Sequence, residues 1–294
     1  MRILIVGGSG QVGWELQRAL APLGEIVVAS RTSLNLLDPI SVGHVWDDHR
    51  PDVLVNAAGY TAVDRAEAQP QEADAINHRA VDILARLAAR HGGWLVHFSS
   101  DYVYDGEGTA PFVETDTPAP LNTYGRSKLA GDEAIRASGC RHLIFRTSWV
   151  HAARGQNFVR TILRLAAERT TLNVVDDQVG APTSAELIAD ITAHALRQMI
   201  DGDAPDGVYH LAAAGAASWY DVALHIIAEA RRLGASLALE ADSITPIPTR
   251  DYPTPATRPL NSRLDMQMLR ETFGITVPDW QHGIARSVAE LVAA

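Results

Sequence analysis

Short apolar runs alternate with amphipathic stretches through the first half of the chain. Residues 2–6 are apolar after Arg2, rich in β-branched side chains, and closed by Gly7 and Gly8. That pattern predicts a parallel strand buried on both faces. Trp14, Leu16 and Leu20 then mark the apolar side of a helix. A second strand is predicted over 25–29, a helix over 39–50 and a third strand over 53–59 after Pro51 and Asp52. Ile76, Ala80, Val81, Ile83, Leu84, Leu87 and Ala88 share one face of a long helix over 71–91, which Gly92 and Gly93 stop. Strands follow over 94–98 and 142–146. Between them lie a Gly/Pro/Thr-rich loop at 105–121 and a helix carrying Tyr124 and Lys128.

This alternation predicts an α/β fold with a doubly wound parallel sheet over 1–150. Beyond 150 the rhythm loosens. Helices are predicted near 156–168, 184–200, 218–234 and 279–293, with short strands near 172–175 and 207–211. The expectation is a smaller α/β substrate lobe over 151–294, some of whose segments return to the first sheet. The proline-rich stretch 244–259 reads as a loop of the kind that covers a ligand.

The chemistry gathers at strand ends. Gly7, Gly8, Gly10 and Gly13 fit both GxGxxG and GxxGxxG between the first strand and the first helix. Such glycines allow a tight turn and close approach of backbone N–H groups to a pyrophosphate. The end of the second strand carries Ser30 and Arg31 where a dinucleotide fold often has a carboxylate. An Arg there pairs with a 2′-phosphate, so NADPH is expected over NADH; the alternative is an Arg31 that faces solvent. Small residues from Asn56 to Gly59 suit a surface lying against a cofactor.

Lys128 is the only lysine; every other cationic side chain is Arg. The two are not interchangeable where a compact, tunable ammonium is needed. Tyr124 stands four residues earlier, on the same helix face. An ammonium beside a phenol lowers the phenol's pKa, making Tyr124 a candidate general acid or base. The bland alternative is a surface Lys beside a half-buried Tyr. Ser99, Ser100 and Asp101 add hydroxyls and a carboxylate at the end of the fourth strand.

A net charge of −10 argues against nucleic acid or an anionic membrane as partner, and no apolar run approaches a membrane span. A single cysteine, Cys140, and an opening that enters a strand at once point to a cytoplasmic setting. No CxxC or HExxH metal motif occurs.

Together, Gly7-x-x-Gly10-x-x-Gly13, Ser100 and Tyr124-x-x-x-Lys128 resemble the extended short-chain dehydrogenase/reductases, whose nucleotide domain is Rossmann-type. Further matching stretches run nearly end to end, among them Asp177 to Thr183 and Thr257 to Ser262. They point to the branch that reduces the C4 ketone of a dTDP-linked 4-keto-6-deoxy sugar, the last step toward dTDP-L-rhamnose. The alternative is a reductase or epimerase acting on a different nucleotide-linked 4-keto-6-deoxysugar. A 4,6-dehydratase needs a second carboxylate after Asp101, where Tyr102 stands.

The resemblance implies Ser100, Tyr124 and Lys128 as catalytic residues. It implies Gly10, Gln11, Val12, Ser30, Asn35, Leu36, Gly59, Tyr60, Thr61, Tyr124 and Lys128 as cofactor contacts. Gly7, Gly13, Arg31 and Ala58 join them on the pattern of the turn and strand ends. Substrate contacts would be Ser100, Asp101, Tyr124, Trp149 and Arg258; the other reading of Arg258 is a salt bridge closing the proline-rich loop. The resemblance also implies a homodimer with Mg²⁺ on Glu15, Glu186 and Glu290; these also read as ordinary helix-surface glutamates.

Overall fold

The computed structural model describes residues 1–30, 32–202, 205–240 and 243–293. In chain order the first half runs β1 (Arg2–Val6), α1 (Gln11–Leu20), β2 (Glu25–Ala29), α2 (Pro39–His49), β3 (Val53–Asn56), α3 (Val63–Ala68), α4 (Pro70–Asp74), α5 (Ala80–His91), β4 (Trp94–Ser100), α6 (Thr123–Ser138) and β5 (Arg141–Thr147). The second half runs β6 (Val150–His151), α7 (Phe158–Glu168), β7 (Leu172–Val175), β8 (Val179–Gly180), β9 (Thr183–Ser184), α8 (Ala185–Asp201), β10 (Gly207–His210), β11 (Ala217–Ser218), α9 (Trp219–Arg232), β12 (Ile244–Ile247), α10 (Gln267–Phe273) and α11 (Trp280–Ala293).

Six strands form one parallel sheet in the order β2-β1-β3-β4-β5-β10. Its strands are continuous apolar runs because helices cover both faces. One face packs Ile3, Ile5, Val55, Val96 and Phe145 against Leu16, Leu20, Ile188 and Leu196 of α1 and α8. The other packs Leu4, Leu54, Leu95 and Ile144 against Val42, Trp46, Val81, Leu84 and Ile135. A second core gathers α7, α9 and α11 around Leu172, Val174 and Ile244. The doubly wound sheet and the smaller C-terminal α/β region are those expected. Through β10 and α8 the C-terminal half also contributes directly to the main sheet and its core.

Local chemistry sets the helix ends. Asp38 accepts the Ile40 N–H at the start of α2, and Pro39 supplies a preformed first turn. Asn122 accepts the Gly125 N–H at 2.8 Å and starts α6, which ends on left-handed Gly139. The predicted helix 71–91 is α4 and α5 joined by a π turn over Ala75–Arg79. Gly131 of α6 passes so close there that a Cβ would sit 2.2 Å from the Asn77 carbonyl oxygen. The turn presents Asn77 to Tyr60 and Ser127. β12 lies inside the proline-rich stretch read as a loop. It pairs only with β7, and Pro246 is tolerated in that two-stranded ribbon because half of its backbone needs no partner.

Candidate active site

β1 sits where the strand order reverses, between β2 and β3, and a cleft of about 950 Å³ opens at the carboxyl ends of these strands. Gly7 turns with φ +81° and its N–H-rich loop leads into α1. A Cβ at Gly7 would lie 2.5 Å from the Ala58 nitrogen, and one at Gly13 would lie 2.2 Å from the Gly7 oxygen. Only glycine fits either position. No side chain caps α1, so its first N–H groups remain available for an anion.

Gly7, Gly10, Ser30, Asn35, Leu36, Ala58, Gly59 and Tyr60 line this cleft, together with Val6, Val28 and Ile76. Val12 packs against the core, and Gln11 accepts from Asn157 Nδ2 at 2.7 Å, tying the glycine turn to the C-terminal half. Thr61 is exposed beside the cleft. Arg31 lies outside the described residues. Asn77 holds the cleft wall by accepting the Tyr60 N–H at 2.8 Å and donating to the Tyr60 carbonyl at 3.0 Å.

Ser100 ends β4, and Tyr124 and Lys128 lie one turn apart on α6. The Ser100 hydroxyl donates to Asp101 Oδ1 at 3.0 Å. Burial pushes the Tyr124 phenol up to about 12, opposed by a hydrogen bond with Ser100 and reinforced by the charges of Asp101 and Asp132. The expectation that Lys128 lowers the Tyr124 pKa is thus not met in this arrangement. The Lys128 ammonium instead turns inward, donating to the Phe98 carbonyl at 2.5 Å and lying 3.1 Å from His97 Nε2. Burial lowers the lysine to about 8, with Asp132 opposing.

Asp101 is buried and burial raises it to about 6, against hydrogen bonds from Ser262 and Ser100. Trp149 takes a left-handed backbone, φ +49°, and stacks on Trp219 at 3.6 Å, with Gly180 beneath its ring. Arg258 is not free for an anion. Its guanidinium pairs in a fork with Asp64, at 2.9 and 2.8 Å, closing the proline-rich segment onto the start of α3.

The three glutamates named as magnesium ligands are bridged by arginines. Arg18 lies 3.3 Å from Glu15 and 3.8 Å from Glu186; Arg286 lies 2.8 Å from Glu186 and 3.4 Å from Glu290. Among the described residues no cluster of His, Cys, Asp and Glu is arranged to hold a metal ion within one chain. No described helix is long and apolar enough to cross a membrane.

Sequence reasoning missed His97 and Asp132, which lie beside Lys128, Arg146, which pairs with Asp132, and Trp219, which faces Trp149; Asn56, read only as part of a cofactor-facing strand end, also contacts His97. The available signal was a polar residue inside an apolar strand: His97 in β4 and Arg146 in β5.

Comparison with known proteins bears on the whole chain. The family described as RmlD substrate binding domain matches residues 1–293. The dTDP-4-dehydrorhamnose reductase of Escherichia coli K12 is 48% identical over 295 residues, 99% of this chain and 98% of that protein. The dTDP-4-dehydrorhamnose reductase of Burkholderia thailandensis is 48% identical over 297 residues, covering both chains completely. The crystal structure of the Bacillus anthracis dTDP-4-dehydrorhamnose reductase in complex with NADP superposes with a TM-score of 0.90 at 31% identity, over 98% of this chain and 99% of that one. The chain belongs to the dTDP-4-dehydrorhamnose reductase family, within the extended short-chain dehydrogenase/reductases.

Proposed function

We propose that this chain reduces dTDP-4-dehydrorhamnose to dTDP-L-rhamnose with NADPH, using Ser100, Tyr124 and Lys128 as its catalytic set. As a member of its family it is an NAD(P)H-dependent reductase of the final step of dTDP-L-rhamnose biosynthesis. The observation that carries the assignment of residues is that the end of β4, with Ser100, packs against α6, which bears Tyr124 and, one turn on, Lys128.

The glycine cradle and the free N-terminus of α1 fit a dinucleotide pyrophosphate. When bound, the nicotinamide supplies the hydride that reaches C4 of the sugar. Negative charge then develops on the ketone oxygen. Ser100, turning its hydroxyl from Asp101, donates a hydrogen bond to that oxygen and Tyr124 gives it a proton. A phenol pushed up to about 12 is fully protonated at neutral pH, the form a reduction requires. Asp101, directly after Ser100 at the end of β4, is the acceptor for a sugar hydroxyl in this reading. The Trp149–Trp219 stack offers a flat apolar wall for the ligand. Arg258 reaches the diphosphate only by exchanging one Asp64 contact for it.

Incubating the chain with dTDP-4-dehydro-6-deoxy-L-mannose and NADPH and identifying the product by NMR tests the reading. Formation of dTDP-L-rhamnose is expected. Turnover only of another 4-keto sugar nucleotide would sink the substrate assignment.

The preference for NADPH rests on Ser30 and Arg31 at the end of β2. One charge-assisted pairing contributes roughly 1.5–3 kcal/mol. Arg31→Ala is therefore expected to raise the NADPH KM about tenfold or more and leave the NADH KM nearly unchanged. Equal changes for both cofactors would show that Arg31 does not read the 2′-phosphate.

A cytoplasmic homodimer linked through Mg²⁺ at Glu15, Glu186 and Glu290 is the assembly the resemblance implies. Because Arg18 and Arg286 already neutralise these carboxylates within one chain, any metal there depends on a second copy. EDTA is expected to shift the sedimentation profile toward monomer. An unchanged profile would remove the metal from the assembly.

A further inference from the structure

Lys128 is 4% exposed, His97 is fully buried and Asn56 is 2% exposed. The three form a chain of contacts from β3 across β4 to α6. Asn56 and His97 are register partners on adjacent strands, which places their side chains together. Asn56 Nδ2 lies 3.1 Å from His97 Nδ1, and His97 Nε2 lies 3.1 Å from Lys128 Nζ.

The direction of this chain is set at its first link. The Ala58 N–H donates to Asn56 Oδ1 at 3.1 Å. Turning the amide over would set two N–H donors against each other, so the Asn56 NH₂ group faces the imidazole. Nδ1 of His97 must then be the acceptor. Burial alone, the largest influence, holds His97 neutral, so its one proton sits on Nε2. That proton points at Lys128 Nζ. An ammonium has three donors and no acceptor, whereas an amine has a lone pair to receive the Nε2–H.

We infer that His97 is a positioning residue: locked by Asn56 as the Nε2–H tautomer, it offers Lys128 a donor and so favours the amine form of the only lysine. The remaining contact, donation to the Phe98 carbonyl, suits both forms. The other groups facing the amine are Asp132 one turn on, which draws the ammonium form, and Arg146, which pairs with Asp132 and weakens that pull. Tyr124 stands one turn before, and Asp101 lies beyond Ser100 at the end of β4. The lowering of Lys128 to about 8 has burial as its largest cause, and the donor from His97 acts in the same direction. The charge of Lys128 is thereby adjustable near the working pH, which an arginine at this position cannot be. Only this last consequence rests on the catalytic reading given above.

The composition supplies a clean probe. Protein grown on [¹³C]lysine carries a single labelled side chain, because Lys128 is the only lysine. In the full-length, cofactor-free protein its Cε resonance is expected to titrate near 8. In His97→Gln the amide can turn its oxygen toward the ammonium, and the midpoint is expected to rise by about one unit or more, roughly tenfold in proton affinity. Asn56→Leu introduces no charge and frees the imidazole to switch tautomer, so the midpoint rises there too, and this variant decides the matter if His97→Gln does not fold. The alkaline limb of kcat is expected to move with the NMR midpoint. A wild-type midpoint near the ordinary lysine value, or midpoints unmoved or lowered in the folded variants, would overturn the inference. The titration needs no turnover, so a chain that proved to reduce a different sugar would leave it standing.

Discussion

Lys128→Arg is expected to retain the fold and lose at least about a hundredfold in kcat, the scale of general acid–base catalysis. Arg replaces every other cation in this chain, so a lysine that merely carried charge would be exchangeable. Its pocket argues otherwise. Nζ fits between the Phe98 carbonyl and His97, where a planar guanidinium has no room for its fork and no lone pair for the imidazole proton. Tyr124→Phe should lose at least as much while still binding NADPH, since only the proton donor is removed. The double variant should be little worse than Tyr124→Phe alone, because residues that act as a unit are not additive. Measuring kcat for the three, with circular dichroism for folding, decides it. Near wild-type turnover in Lys128→Arg would remove the lysine from the mechanism.

How much of this site is legible in the sequence depends on whether a residue's meaning is local. The glycine turn is legible because its pattern lies within seven residues and one of its steric constraints, Gly13 against the Gly7 oxygen, is local; the crowding of Gly7 by Ala58 is not. Tyr124 and Lys128 are legible because a spacing of four on a helix places them on one face. β1 to β5 are legible because buried parallel strands are short apolar runs bounded by polar residues. The contacts of Asn56, His97 and Arg146 were not legible. His97 interrupts β4, Arg146 lies next to last in β5 and Asn56 ends β3, and only sheet register sets Asn56 beside His97 and Ser99 beside Arg146. The fate of Arg258 depends on Asp64, 194 positions earlier. The pKa of Tyr124 was misjudged for a related reason. The helix spacing is local, but the inward turn of Lys128 is set by a carbonyl and an imidazole on another element. α3 has a single buried residue, Ala66, and so left no periodic trace.

The second large effect is expected behind the catalytic face, at Arg146. Its side chain and that of Asp132 are 4% and 1% exposed, with Nε and Oδ2 3.2 Å apart. Arg146 Nη1 also donates to the Tyr104 hydroxyl at 2.8 Å, which lies 2.7 Å from His210 Nε2. Ser99 donates to Asp132 Oδ2 at 2.9 Å, and Asp132 Oδ1 has no hydrogen-bond partner among the described residues. Arg146→Met keeps much of the volume and removes the counter-charge, leaving a buried carboxylate with only Ser99 and the neighbouring Lys128. Breaking such a pair from one side costs roughly 3–5 kcal/mol. The loss should depend on pH in a definite direction. Burial already raises the Asp132 pKa, and Arg146 is the largest influence lowering it. Without Arg146 the folded-state pKa climbs further above the unfolded value. The penalty is then full above that folded pKa and shrinks as pH falls through it and the carboxyl takes up a proton. Urea unfolding should therefore show a larger gap between wild type and Arg146→Met at pH 8 than at pH 5.5. Adding Asp132→Asn should recover part of the loss, since it removes the stranded charge. A loss below about 1 kcal/mol, the scale of an exposed ion pair, or one equal at both pH values, would show that the pair does not behave as a buried one.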